Sequence, residues 1–246
     1  MILHQLAPRG SLLGVWAARR AGGTSQKSRT QFPTARPRLY ERRVMPIEKS
    51  DFRPGDALYF HGFGAVGVGI NLFTRGWPFR WPAGWAGFSH VGTIGFHPDE
   101  PGELALWEST AGCDQRDLVT DAWVDGVQAH AIERRISRYD GMIWHCPMTD
   151  AAREFFKVEA AQAFLRKAAK RPYDWHQSFQ AQDTLLGKIC RRLCWHRAND
   201  AFFCSELVAG TWRAGFGALG ECQYSPNKLY RTARRLGIIR SGARVK

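Results

Sequence analysis

The chain has 246 residues, of which 44% are hydrophobic, and its formal net charge is +13. A chain of this size and composition can bury one sizeable core, so we expect one main domain. No apolar run reaches 18 residues, so no membrane-spanning helix is expected.

The positive charge is concentrated at the two ends of the chain. Residues 1–44 carry +8 and residues 228–246 carry +7, which leaves −2 for the body between them. A near-neutral body argues against a fold that reads nucleic acid, so no specific nucleic-acid partner is predicted. The basic ends are either solvated or in contact with an anionic polymer or a membrane surface.

Residues 1–44 differ in composition from the rest. Ser, Thr, Gly and Pro stand between the arginines without any sustained periodicity, which predicts a basic, disordered extension. The remaining residues, 45–246, are predicted to form one domain with a basic C-terminal tail, and Met45 is a candidate for the natural start. The six cysteines are widely spaced and no clear signal peptide is present, so we expect a cytoplasmic location.

Short apolar segments dominate the first part of the body. A first strand is predicted at residues 56–60, after a Pro-Gly turn, and a helical turn at residues 70–73. Further strands of one antiparallel sheet are predicted at residues 91–96, 104–107, 127–132 and 142–146.

The pattern changes from strand to helix at residue 150. Apolar residues recur at helical spacing over 150–169, with Thr149 or Asp150 as the N-cap. Pro172 follows the predicted end of this helix. A block of strands followed by helices predicts an α+β fold.

The segment AFFCSELVAGTW places Cys204 between an extended stretch and an amphipathic helix. Unpaired backbone N–H groups at a helix N-terminus lower the pKa of a thiol and can bind an oxyanion. Cys204 is therefore a candidate nucleophile. Because cysteine is often buried, a core position is the alternative interpretation.

Two upstream residues complete a possible catalytic group. His90 opens the predicted strand in GFSHVGTIGF, and Glu108 follows the next apolar run. A histidine can accept the thiol proton while a carboxylate orients its other ring nitrogen. Taken alone, a histidine such as His90 is more often a core residue and an acid such as Glu108 more often a solvated group at a strand end, so the prediction depends on the three residues together.

The segments FRPGDALYF, FSHVGTIG, LWEST, RPYDW and FFCSELV occur in an order that resembles the YiiX/YaeF-like permuted NlpC/P60 family. The resemblance covers roughly residues 52–230. It implies a circularly permuted, papain-like fold in which a small antiparallel sheet packs against helices. It also implies a triad in which Cys204 is the nucleophile, His90 the base and Glu108 the group that orients His90.

The resemblance further implies a papain-like cysteine hydrolase that needs no cofactor. The implied substrate is an amide bond in a peptide, a peptidoglycan fragment or another acyl-amide. Two alternatives stay open: an acyltransferase or thioesterase-like enzyme of the same fold that acts on lipids, and a catalytically silent module that binds a cell wall or membrane. Ser205 and Glu206 directly after the cysteine favour the hydrolase branch.

Three residues are candidates for substrate binding. Tyr173 lies in RPYDW, Trp85 lies in the tryptophan-rich segment of residues 77–88, and Ser205 follows the nucleophile. The aromatic segment is expected to cover the cleft, to contact a lipid interface or to fold back as an auxiliary core. Tyr173 is equally explained as a packing residue.

No metal site is predicted from the sequence. Cys190 and Cys194 stand one helical turn apart with His196 nearby, which is half of a zinc site. A fourth ligand at suitable spacing is not visible.

Overall fold

The computed structural model describes residues 48–63, 87–111, 113–174, 201–217 and 224–246. Several predictions fall outside these residues: the N-terminal extension of residues 1–44, the helical turn at 70–73, Trp85 with its aromatic segment, and the Cys190 and Cys194 pair. The described part begins with a short 3-10 turn, Lys49–Asp51.

Six strands form one antiparallel sheet. All five predicted strands are present, and the third runs on to Thr110 and so includes Glu108. The strands are β1 (Ala57–Gly62), β2 (His90–Phe96), β3 (Leu104–Thr110), β4 (Gly126–Ala131), β5 (Gly141–Cys146) and β6 (Ala243–Arg244). Their order across the sheet is β4-β3-β2-β1-β5-β6, and every neighbouring pair is antiparallel.

The helices confirm the α+β class. They are α1 (Ile132–Arg138), α2 (Asp150–Arg153), α3 (Val158–Ala168), α4 (Cys204–Phe216) and α5 (Pro226–Arg235). In the described ranges no helix is both long and apolar enough to cross a bilayer.

The prediction of one helix over residues 150–169 is wrong, because two helices occupy this stretch. Thr149 is the N-cap of α2 and accepts a hydrogen bond from the backbone N–H of Ala152. The chain then leaves the helix and the Lys157 N–H donates to the Gly215 carbonyl, 2.9 Å away, on α4. This break buries Phe156 and leaves Phe155 51% exposed, although helical spacing placed Phe155 on the inner face.

Each face of the sheet carries its own apolar cluster, because neighbouring side chains on a strand point to opposite faces. On one face Tyr59 and Val91 pack with Val208 and Trp212 of α4. On the same side of the sheet, buried Trp107 packs with Leu165 of α3 and Leu207 of α4. On the other face lie Leu58, Phe60, Ile94, Leu106 and, from α1, Ile132.

Most of the basic C-terminal segment is part of the fold rather than a free tail. Leu229 and Ala233 of α5 are buried in the core. Strand β6 pairs with β5 at the edge of the sheet. The charged side chains of α5, among them Arg231 and Arg234, lie on its exposed side.

The FRPGD turn connects β1 to the rest of the domain through a buried carboxylate. Asp56 is fully buried, and its Oδ2 lies 2.9 Å from His145 Nε2 while its Oδ1 lies 2.5 Å from an Arg153 guanidinium nitrogen. The backbone N–H of Met148 also donates to Oδ1 at 2.8 Å. Asp56 therefore joins β1, β5 and α2.

Replacing Asp56 with Asn is expected to lower the free energy of unfolding by about 3 kcal/mol, because Arg153 and His145 lose their buried anionic partner. Chemical denaturation measures the change. The matched control is Asp150→Asn, whose exposed ion pair with Arg240 should contribute less than about 1 kcal/mol. Equal losses in the two variants would contradict the structural role of Asp56.

Candidate active site

Cys204 is the first residue of α4, as the sequence predicted. The N-cap residue, Phe203, makes no side-chain capping bond. The helical hydrogen bonds start with the N–H groups of Glu206 and Leu207, which donate to the Phe203 carbonyl at 3.1 Å each. The amides of Cys204 and Ser205 thus precede the first bonded turn, at the positive end of the helix dipole.

The chain leading into α4 is fixed on two sides. The Ser109 hydroxyl of β3 donates to the Phe202 carbonyl at 2.6 Å. On the other side Phe202 forms a parallel bridge with Tyr173, and the Phe202 N–H donates to the Pro172 carbonyl at 3.1 Å. The RPYD segment therefore positions the backbone just before Cys204.

Tyr173 is half-buried and packs against the cluster that contains Cys204. Its contact with a substrate stays a prediction.

His90 is the first residue of β2 and lies at the end of the strand. Its backbone pairs with Phe60 of β1, whose ring centroid lies 5.2 Å from the imidazole. The neighbouring Ser89 hydroxyl accepts from the Gly62 N–H at 3.1 Å, which ties together the ends of β1 and β2. Asn227 of α5 holds the preceding residue, because its Oδ1 accepts from the Phe88 N–H at 2.8 Å.

His90 links the thiol to the carboxylate. Its Nε2 lies 2.6 Å from Glu108 Oε2, so Nδ1 is the ring nitrogen left for Cys204, with which His90 is also hydrogen-bonded. Burial opposes the charged imidazole, but the hydrogen bonds with Cys204 and Glu108 outweigh it and raise the pKa of His90 to about 9. His90 therefore keeps its proton at neutral pH.

Glu108 is fully buried, so the alternative of a solvated acid at a strand end is wrong. Its Oε1 accepts a hydrogen bond from Arg135 Nε at 2.6 Å, and a second guanidinium nitrogen lies 3.4 Å from Oε2. Burial favours the protonated acid, but the Arg135 charge and the His90 hydrogen bond outweigh it and hold the pKa of Glu108 well below its usual range. The carboxylate stays ionised although it is out of water.

Arg135 is the site residue that the sequence reasoning missed. It comes from α1, whose inner face carries Ile132 and Ile136. Since Arg135 lies three positions after Ile132, helical spacing places it on that same face. The helical spacing of Ile132, Arg135 and Ile136 would have placed Arg135 on the inner face, but only if residues 132–138 had been predicted to be a helix. Its guanidinium also lies 5.7 Å from the centre of the Phe60 ring and 5.3 Å from that of Tyr139.

The Ser205 side chain serves the fold rather than a substrate. It is fully buried, and its hydroxyl donates to the Tyr224 carbonyl. This bond ties the first turn of α4 to the segment before α5. The structure thus brings together Cys204, His90 and Glu108 and points the Ser205 hydroxyl away from solvent.

We expect iodoacetamide to label Cys204 roughly tenfold or more faster than Cys113 or Cys146 at neutral pH, because the charged imidazole of His90 activates the neighbouring sulfur. His90→Gln should remove this difference. Peptide mass mapping after timed exposure measures each rate.

The matched control for the labelling experiment is His97→Gln, which changes a histidine in the loop after β2. This variant should label like the wild type. Equal labelling of all three cysteines in the wild type would contradict an activated Cys204.

No protein-family model matches the chain. The search of curated proteins also finds no match. The similar solved structures include one titled as the crystal structure of metalloprotein YiiX from Escherichia coli O157:H7, DUF1105.

The YiiX match has a TM-score of 0.41 and 14% sequence identity, and it covers 68% of this chain and 67% of that chain.

Proposed function

We propose that this protein is a thiol hydrolase that cleaves an amide bond through Cys204, His90 and Glu108. The observation that carries the proposal is the continuous hydrogen-bonded arrangement from the Cys204 thiol through His90 to the buried Glu108 carboxylate. A nucleophile, a base and a group that orients the base are the three parts that such a reaction requires.

The first step is attack by Cys204 Sγ on the substrate carbonyl carbon. A C–S bond forms and the carbonyl π electrons move to oxygen, which becomes an oxyanion. The backbone amides at the start of α4 are the donors for that oxyanion, since no side chain caps this helix. The helix dipole stabilises the same negative charge.

The second step breaks the C–N bond. The His90 imidazolium gives its proton to the leaving nitrogen, and the acyl group remains on Cys204 as a thioester. Water then attacks the thioester while His90 accepts a proton from it. The C–S bond then breaks, the acid product leaves, and the Cys204 sulfur and the protonated His90 are restored.

Glu108 acts through His90 rather than on the substrate. Its bond to Nε2 fixes the ring so that Nδ1 faces the sulfur. Arg135 holds this carboxylate ionised in a buried position, which keeps Glu108 an acceptor for the imidazole N–H. Arg135 is therefore a positioning residue one step further from the chemistry.

The substrate class proposed is a cell-wall peptide or an N-acyl compound. The motif resemblance to the permuted NlpC/P60 family supports it. An acyltransferase of this fold would form the same acyl-enzyme thioester and pass the acyl group to an acceptor other than water. A thioesterase-like enzyme would pass it to water but would take it from a thioester rather than an amide. The identity of the acceptor is therefore an outcome of the substrate test.

Wild-type protein is expected to cleave at least one member of a panel of peptidoglycan fragments, N-acyl peptides and lipid esters, and Cys204→Ala to cleave none. Mass spectrometry of the products and of the intact protein measures both turnover and the acyl-enzyme. The control is Cys146→Ala, a buried thiol of the sheet that should retain turnover.

A free acid as product supports hydrolysis. A product in which the acyl group is attached to a lipid or an amine would show that the reaction is acyl transfer instead. Absence of both turnover and acylation at Cys204 across the panel would contradict the enzymatic proposal and favour a binding module.

Glu108→Gln should lower kcat by about 10²–10⁴-fold with a much smaller change in KM, because the uncharged amide no longer stabilises the imidazolium. Steady-state kinetics on the substrate identified above measures the split. Glu103→Gln, in the loop before β3, is the matched control and should behave as wild type. If kcat for Glu108→Gln stays within about twofold of the wild-type value, Glu108 does not orient His90 for catalysis.

A further inference from the structure

A second group of potential ligands lies beside the triad carboxylate. Cys113 Sγ lies 3.6 Å from His130 Nε2, and the same nitrogen lies 3.4 Å from Glu108 Oε1. The three ligand atoms all lie within 4.8 Å of one another. Glu108 Oε1 is the oxygen that does not bond His90. Cys113 and His130 have no part in the proposed hydrolysis.

The 3.4 Å separation of His130 Nε2 and Glu108 Oε1 is long for a hydrogen bond, and both separations suit a shared metal ion. An N–H···O hydrogen bond typically spans about 2.7–3.2 Å. In a tetrahedral zinc site the Zn–S bond is about 2.3 Å and the Zn–N and Zn–O bonds are about 2.0–2.2 Å. With these bond lengths the sulfur and nitrogen ligands lie about 3.6 Å apart, and the nitrogen and oxygen ligands about 3.4 Å apart. The Cys113–His130 and His130–Glu108 distances equal these two values.

The backbone holds the three side chains in this arrangement. Glu108 and His130 lie on the adjacent strands β3 and β4, where Glu108 pairs with Gln128 and His130 pairs with Leu106. Side chains in this diagonal relation point to the same face of a sheet. Cys113 follows β3 on the loop, and the backbone N–H of Gln115 hydrogen-bonds its sulfur. Burial and the Glu108 charge nevertheless raise the pKa of the Cys113 thiol, so the bound metal itself has to displace the thiol proton.

The surrounding charges make a dication acceptable. Glu108 Oε1 already accepts from Arg135, and hydrogen-bonded carboxylate ligands are usual in metal sites. Asp117 is buried and its charge acts on His130. With a zinc ion bound, the formal charges of the metal, the Cys113 thiolate, Glu108, Arg135 and Asp117 cancel.

Access to this group is possible from the Cys113 side. Cys113 is only half-buried, whereas His130 and Glu108 are buried. An ion reaching Cys113 from solvent would therefore find the other two ligands behind it.

We propose that Cys113, His130 and Glu108 bind Zn²⁺ through Sγ, Nε2 and Oε1, with a fourth position open toward solvent. Thiolate, imidazole and carboxylate are the three kinds of side-chain ligand that zinc takes in proteins. Binding releases the Cys113 thiol proton to solvent and changes no oxidation state. Glu108 then holds the metal through one oxygen and His90 through the other.

The proposal is tested by alkylation of Cys113 in the full chain, after treatment with a chelator and its removal, with and without added zinc chloride. Peptide mass mapping reads Cys113 separately from the other five cysteines. Saturating zinc should slow the labelling of Cys113 about tenfold or more, because the coordinated sulfur is no longer available. His130→Gln should lose this protection, and His97→Gln should keep it.

Cys204→Ala separates this site from the hydrolase, because it should abolish turnover and keep the protection of Cys113. Cobalt(II), which reports thiolate coordination by a charge-transfer absorption, gives a second readout in a Cys190→Ser/Cys194→Ser background. That absorption should appear there and be lost on Cys113→Ser. Unchanged labelling of Cys113 at saturating zinc, or full protection in His130→Gln, would overturn the proposal.

Discussion

The buried, ionised carboxylate of Glu108 is the constraint on which the site depends. A carboxylate removed from water is costly unless it is paired and hydrogen-bonded. Arg135 supplies the opposite charge at 2.6 Å, and His90 binds the second oxygen at 2.6 Å. The Glu108–Arg135 pair thus fixes the orientation of the His90 imidazole and favours its protonated form. The same orientation lets His90 hydrogen-bond with Cys204.

The fold brings this arrangement together from distant parts of the chain by a few backbone bonds. Ser109, next to Glu108, holds the Phe202 carbonyl just before α4 at 2.6 Å. Asn227 of α5 holds the backbone of Phe88 just before β2. The sheet therefore carries His90 and Glu108, while α4 presents the Cys204 sulfur at its N-terminus. The same sheet places His130 beside Glu108, with 3.4 Å between His130 Nε2 and Glu108 Oε1.

The parts of the site that depend on local sequence were predictable, and those that depend on distant pairing were not. Cys204 at a helix start and His90 at a strand start follow from patterns of a few residues. The burial of Glu108 does not, since it depends on Arg135, 27 residues further along the chain. The break between α2 and α3 was also missed, because Phe155 fits helical spacing and the docking of Lys157 on Gly215 is a tertiary contact.

The most direct test of this account is the titration of His90, followed by the ¹⁵N chemical shifts of its imidazole in chelator-treated protein. The account predicts a pKa of about 9, so the imidazolium persists through neutral pH and is lost only as the pH rises toward that value. The pKa should fall in Glu108→Gln, because the partner that favours the charged ring is gone. A pKa near the ordinary value of about 6.5 in the wild type would contradict the coupling of Cys204, His90 and Glu108.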